Sequence, residues 1–340
     1  MATTLRDIAK RAGVSATTVS LVLNQGSQSR ISESTREKVL HVVKELGYQT
    51  NKSLPPTSLV VPPSIGLVFT DVTNPFFTAM AAVIEDVASR YGYNIILCNT
   101  QRSLKKEKEY LDVLGRRRID GLIIAPVDDD SSAEELARQN IPVVFIDRHP
   151  PDIEHVNAVL LENIEAARMA VEYLLRLGHR RIGIITGRSN ISTGKERLEG
   201  YVQALSAYQI PIDDRLICDG QFTVEGGQEA ASALLNLSDP PSAMFSCGGV
   251  MSIGAMLEIK ARNLRIPQDV SFIGIDDEKW CQLVDPPLTV VAQPVTEIAT
   301  EAAQMLIQLI QGWGTQEARR ILLKPQLIAR QSCAKPSINA

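Results

Sequence analysis

The chain has 340 residues, more than one compact core usually holds, and its 44% apolar content suits a globular protein of two or three units. No apolar run approaches the ~20 residues that span a bilayer, and the amino terminus lacks the basic-then-apolar layout of a secretory signal. A cytoplasmic protein with no membrane partner is therefore expected. The net charge of −4 conceals an uneven split: up to Ser64 eight basic residues face four acidic ones, and the remainder is net acidic. A cationic head that meets phosphate, on an anionic body that avoids it, fits that division.

The head opens with Thr4 and, three residues later, Asp7, a helix-start signal after which Ile8, Ala9 and Ala12 share one apolar face. Gly13 ends that helix, because a residue without a Cβ can take the left-handed turn. Ser15 then caps a second helix whose Val19, Val22 and Leu23 point inward. Ala16, Thr17, Thr18, Ser20, Leu21 and Asn24 are left at its tip and outer side, small side chains on a helix able to enter a major groove end-first. Lys10 and Arg30 can meet the DNA backbone, and Thr4 and Ser15 stand at helix starts that can do the same. A third helix, capped by Ser32 or Ser34, carries Val39, Val42, Val43 and Leu46 and closes at Gly47. Residues 1–50 thus read as an all-α, three-helix headpiece.

Residues 51–64, NKSLPPTSLVVPPS, contain Pro55, Pro56, Pro62 and Pro63, which remove amide donors and restrict their neighbours. An extended spacer is the simplest reading, with Leu54 as a candidate wedge into the minor groove. From Ile65 the pattern changes to short apolar runs separated by helical stretches. Strands are expected at 65–69, 95–98, 122–125, 143–146, 182–185, 243–246 and 270–275. Helices are expected at 76–90, 104–116, 132–138, 163–177, 194–207, 226–235 and 251–261. This alternation implies an α/β core of two doubly wound, parallel-sheet lobes with a ligand crevice at the carboxyl ends of the strands.

Leu5, Asp7, Ile8, Ala9, Ala12 and Gly13, followed by Val14, Ser15, Thr18, Val19, Ser20, Leu23 and Asn24, resemble the opening of the LacI/GalR repressors. Further segments stand in that family's order: Asn74-Pro75-Phe76-Phe77, Ile146-Asp147-Arg148, Gly178-His179-Arg180-Arg181-Ile182, Arg197-Leu198-Glu199-Gly200-Tyr201 and Gly274-Ile275-Asp276-Asp277. The resemblance implies a periplasmic-binding-protein-like core over 65–330, with an N-lobe of about 65–161 and 292–322 and a C-lobe of about 162–291 and 323–330. It also implies a homodimer that binds a pseudo-palindromic operator, probed through Ala16, Thr17 and Leu21, under control of a small-molecule effector, a sugar or sugar derivative. One departure is clear. The Ala-Arg-x-Leu core of the family's hinge helix is here Leu54, Pro55, Pro56 and Thr57.

Asp147, Arg148, Arg197 and Asp276 lie at or beyond strand ends, where carboxylates and guanidinium groups can share the adjacent hydroxyls of a sugar. The resemblance adds Phe76, Phe77 and Phe222 as stacking rings, with Trp280 at the edge, and Thr193 in the loop Gly187 to Lys195 as a further contact. Glu162-Asn163 replaces the family's common Asp-Asn, Gly248-Gly249 replaces Asn-Asp, and Ile191 stands where purine-responsive members carry an arginine. That loop lacks the Walker spacing, and Glu196 follows its lysine. Neither G-x-S-x-G nor H-E-x-x-H occurs, so no catalytic residue, metal site or cofactor is expected. The five scattered cysteines read as reduced, buried thiols. A regulator of the same fold that ignores small molecules or depends on a partner protein is the alternative, and a plain solute-binding protein is a weaker one.

Overall fold

The computed structural model describes residues 5–16, 18–19, 22, 31–46, 62–150, 156–313 and 317–336. By its internal contacts the chain divides into two units, Met1–Val61 and Pro62–Ala340.

In the first unit, α1 (Leu5–Ala12) is followed by Gly13 at φ +67, the left-handed conformation that favours glycine. Residues 16, 18, 19 and 22 are helical, and the Ser15 hydroxyl accepts from the Thr18 amide at 3.0 Å, which caps this helix. The third helix, α2 (Glu33–Glu45), starts beside Ser32, whose hydroxyl accepts from the Thr35 amide at 3.4 Å. Ile8, Ala9, Val19, Val22 and Val39 bury one small core, and Arg11 reaches Glu45 at 2.6 Å from helix to helix.

The second unit holds two six-stranded sheets. One sheet contains β1 (Ser64–Phe69), β2 (Asn94–Asn99), β3 (Gly121–Ile124), β4 (Val143–Ile146), β5 (Asn157–Leu161) and β11 (Arg320–Leu323) in the order β11-β5-β4-β3-β1-β2, with every pairing parallel. The other contains β6 (Ile182–Thr186), β7 (Ile217–Asp219), β8 (Ala243–Ser246), β9 (Ser271–Ile275), β10 (Thr289–Ala292) and β12 (Gln326–Ile328) in the order β12-β10-β9-β8-β6-β7. Only β12 runs antiparallel to its neighbour there. The chain changes sheet after Leu161, changes back after Ala292 and returns between Leu323 and Gln326.

Helices cover the sheets. The first lobe carries α3 (Pro75–Arg90), α4 (Leu104–Arg116) and α5 (Glu134–Arg138). The second carries α6 (Asn163–Leu177), α7 (Ser192–Ala207), α8 (Val224–Leu235) and α9 (Gly249–Ala261). A late helix, α10 (Val295–Ile310), returns to the first lobe and buries Ile298, Ala299, Ala302 and Leu306 against the β1, β3 and β4 residues Leu67, Ile123 and Val144. The periodicity marks β1 to β4, β6, β8 and β9 and the helices between them, but not β5, β7, β10, β11, β12 or α10. Helix α7 begins at Ser192, two residues before the expected start, and α9 begins at Gly249.

The core also continues beyond Arg330, where the sequence reading ended it. The Ser332 hydroxyl accepts from the Thr289 amide at 2.8 Å and donates to the Phe272 carbonyl, and His179 Nε2 lies 2.8 Å from the Ala334 carbonyl. Gly178, at φ +105, ends α6 one residue before that histidine. No helix among the described residues is long and apolar enough to cross a membrane.

Candidate functional site

The carboxyl ends of both sheets face one cleft with about 630 Å³ of empty space continuous with solvent. Asp147 follows β4 at φ +65, and the next amide, of Arg148, donates back to the Ile146 carbonyl at 2.6 Å. This i-to-i+2 turn is a strained conformation for a residue with a Cβ, and it sets the carboxylate on the cleft wall. Asp276 follows β9 in the same left-handed region, at φ +78. Its Oδ1 accepts from Gln293 Nε2 at 2.7 Å and its Oδ2 from the Gly249 amide at 3.1 Å. Burial holds the Asp276 carboxyl above the ordinary carboxylate range, against the opposing pull of Arg197.

Arg197, on α7, is buried and donates to Asn163 Oδ1 at 2.9 Å and to the Cys247 carbonyl at 2.7 Å. Arg148 Nε donates to Asp147 Oδ2 at 2.7 Å, and its guanidinium lies 5.6 Å from the centroid of the Phe222 ring. Gly187 is required here by close approach, since a Cβ on it would fall 2.0 Å from Phe222 Cε2. On the first lobe, Asn74 caps α3 by accepting from the Phe76 amide at 3.0 Å, and Pro75 fits the first turn. Phe76 and Phe77, ring centroids 5.2 Å apart, are thereby fixed at the cleft floor. The Thr193 hydroxyl is buried and has no hydrogen-bond partner among the described residues.

Of the nine effector residues expected from sequence, eight line this cleft: Phe76, Phe77, Asp147, Arg148, Thr193, Arg197, Phe222 and Asp276. Trp280 does not. Its indole donates to Glu278 Oε2 at 2.7 Å, and the ring lines a separate groove with Met256, Leu264 and Val284. A place four residues after Asp276 does not fix the direction of a side chain in a 3₁₀ turn, Lys279–Gln282. Glu162 is absent from the cleft lining, and its side chain makes no cap bond to α6. Asp71, Arg102, Arg188, Gln221 and Gln293 line the cleft without having been singled out. Each follows or adjoins a strand end, the same positional signal that marked the others.

The cleft is clasped. Arg102 pairs with Asp71 at 2.7 Å within its own lobe and donates across to the Phe222 carbonyl at 3.0 Å. Lys195 reaches Asp129 at 2.6 Å, and the Asp129 amide donates to the Asn190 carbonyl at 3.3 Å.

In the head, Lys10, Ser15 and Ala16 are exposed and Thr18 half-exposed, with the Ser15 and Thr18 hydroxyls 2.8 Å apart. Thr4, Thr17, Ser20, Leu21, Asn24, Arg30 and Leu54 lie outside the described residues.

Two family models match the chain: "Bacterial regulatory proteins, lacI family" over residues 4–51 and "Periplasmic binding protein-like domain" over residues 171–333. The chain is 34% identical over 336 residues to the HTH-type transcriptional regulator DegA of Bacillus subtilis (strain 168), covering 98% of both chains. It belongs to the lacI family of bacterial regulators. It is accordingly a DNA-binding transcriptional regulator controlled by a small molecule, and not an enzyme. Among solved structures, the complex of transcriptional regulator CelR with cellobiose is similar, with TM-score 0.75 and 31% identity over 97% of this chain and 99% of that one. So is a LacI family regulator from Enterococcus faecium with bound ribose, with TM-score 0.73 and 30% identity over 81% of this chain and 100% of that one.

The five cysteines are free thiols; Cys98, Cys247 and Cys281 are buried, whereas Cys218 and Cys333 are only partly so, against the expectation that all are buried, and burial pushes the Cys247 thiol up to about 12. Among the described residues no cluster of His, Cys, Asp or Glu can hold a metal ion.

Proposed function

We propose that the chain represses transcription in the cytoplasm as a homodimer on a pseudo-palindromic operator, and that a sugar or sugar derivative in the cleft controls the affinity of the paired heads. The observation that carries the effector reading is the Thr193 hydroxyl, buried without a partner in a wall that also presents Asp147, Asp276, Arg148 and Phe222. A buried hydroxyl without a bond costs free energy that a ligand hydroxyl recovers, and carboxylates beside guanidinium groups match the alternating donors and acceptors of a polyol. Two similar structures hold cellobiose and ribose, which supports the same class.

One small head contacts too few bases to select a site alone, so pairing follows from the size of the head. The domain limits that accompany this reading are a head of residues 1–50, a proline-rich linker over 51–64 and an effector core from 65 onward. The proline content of the linker argues for an extended spacer between head and core, with Leu54 the side chain to test as a wedge.

The test is binding of the purified protein to DNA upstream of its own and neighbouring genes, at two salt concentrations, with and without a panel of sugars. Salt-sensitive, sequence-selective binding changed by one sugar is expected. Selective binding that no small molecule alters would favour the effector-blind alternative. Thr17→Ala should erode the preference for the selected site over random DNA, whereas Lys10→Ala should weaken both alike. Equal losses from both variants on both DNAs would refute the second helix as the reading element.

A further inference from the structure

The charges lining the cleft do not balance. Four guanidinium groups face three carboxylates, and two of those carboxylates are already taken, Asp71 by Arg102 and Asp147 by Arg148, each at 2.7 Å. The third, Asp276, accepts from neutral donors, and Arg197 donates to neutral acceptors. Arg188 remains. It is half-buried in the cleft wall and makes no side-chain hydrogen bond or ion pair among the described residues. A guanidinium that is partly withdrawn from water normally has acceptors, because its five donors lose hydration otherwise.

The neighbouring backbone points the same way. Helices α7 and α9 both begin at the cleft wall; the first amide of α9, that of Gly249, already donates to Asp276, whereas the N-cap residue of α7, Ile191, supplies no side-chain acceptor to its first turn. The positive end of α7 and the unmatched Arg188 share the cleft wall with Thr193, the cleft-lining hydroxyl that is buried without a partner among the described residues. A neutral polyol would satisfy Thr193 and could offer Arg188 a hydroxyl acceptor, but it would leave the guanidinium charge unmatched, and an anion binds that charge more strongly.

We infer that the effector is an acidic sugar, bearing a carboxylate or a phosphate ester that Arg188 binds. The inference rests on the sugar reading of the cleft and narrows it. The ring hydroxyls meet Asp147, Asp276 and Thr193, the ring face meets Phe222, and the anion takes the planar fork of Arg188.

The experiment is calorimetric titration of the full-length protein with matched sets: neutral hexoses and pentoses, the corresponding uronates and aldonates, and the corresponding phosphate esters, at low and high salt. One acid should bind at least about tenfold more tightly than its neutral parent, with the gap narrowing as salt rises. Arg188→Gln should cut the affinity for the acid about tenfold more than that for the neutral parent. An unchanged urea midpoint for the variant checks that it folds. The carboxylate and phosphate arms separate the two sources of the anion. A neutral sugar that binds as tightly as its acids, or an Arg188→Gln variant that weakens both alike, overturns the inference and leaves the sugar reading standing. Binding by no member of any set overturns both.

Discussion

Replacing Lys195 by alanine removes a contact that joins the lobes without touching the effector site. Lys195 Nζ lies 2.6 Å from Asp129 Oδ2, with the lysine side chain 50% exposed and the aspartate 20% exposed. Neither residue lines the cleft. An ion pair this wet contributes about 0.5 kcal/mol, not the several expected of a dry one. If the effector binds the closed lobes, the loss enters its affinity through the closure equilibrium alone, and half a kilocalorie corresponds to roughly a two- to threefold weaker dissociation constant. The dependence on salt is the diagnostic part. At ~0.05 M salt the variant should bind its effector two- to threefold less tightly than the parent, and near ~0.5 M the two should converge, because the screening length falls below the reach of an exposed pair. Asp129→Ala should match it, and the double variant should be no weaker than either single one. Titration of the three variants at both salt concentrations decides the matter. A loss that persists at high salt, or single losses that multiply in the double variant, would refute the clasp as an electrostatic contribution to closure.

Gly254→Ala should cost about 3 kcal/mol in urea unfolding, because the new Cβ would sit 1.9 Å from the Val224 carbonyl and force α8 and α9 apart. A midpoint within error of the parent would contradict that contact. Asp276→Asn should abolish the effector response while leaving the ligand-free protein at least as stable at neutral pH. The raised carboxyl binds its proton more tightly folded than unfolded, so its effect on stability is a decline as pH rises from the usual 3.8 through the raised value, flat above it. Urea midpoints against pH should lose that slope in the variant. The opposite sign belongs to Asp269, which hydrogen bonds from Arg265 hold down at about 2: its contribution is full above the usual 3.8 and fades as pH falls toward 2. Arg265→Ala should remove that acid-side loss.

Apolar runs made the centre of each sheet legible. Val143–Ile146 and Ala243–Ser246 are buried on both faces, so the first is apolar throughout and the second up to its last residue, Ser246, and the strands announce themselves. Edge strands carry a weaker pattern. In β11, Arg320 and Leu322 are exposed, and β7 and β12 are three residues long, too short for a period to emerge. The cleft followed from a positional rule, that ligands meet side chains at strand ends, and the rule found Asp147 and Asp276. It could not say which residue of a loop turns inward. Arg188 stands in the stretch already read as a crevice loop, yet only the path of the chain between Gly187 and Ser192 gives its side chain to the cleft. Trp280 shows the converse error, a residue near the right strand end whose indole is held by Glu278 elsewhere.

The double return of the chain between the sheets sets the order in which a ribosome can deliver finished structure. The head needs only its own residues and can close as soon as they emerge. The first lobe cannot: its strands β1 to β5 are complete by Leu161, but α10, which shares their face with α3, and the edge strand β11 are made after the whole of β6 to β10. Leu67, Ile123 and Val144 therefore wait, covered by α3 alone, through the synthesis of the second lobe. A chain that terminates before Val295 would leave that face with only α3 upon it and the apolar side chains that α10 buries exposed.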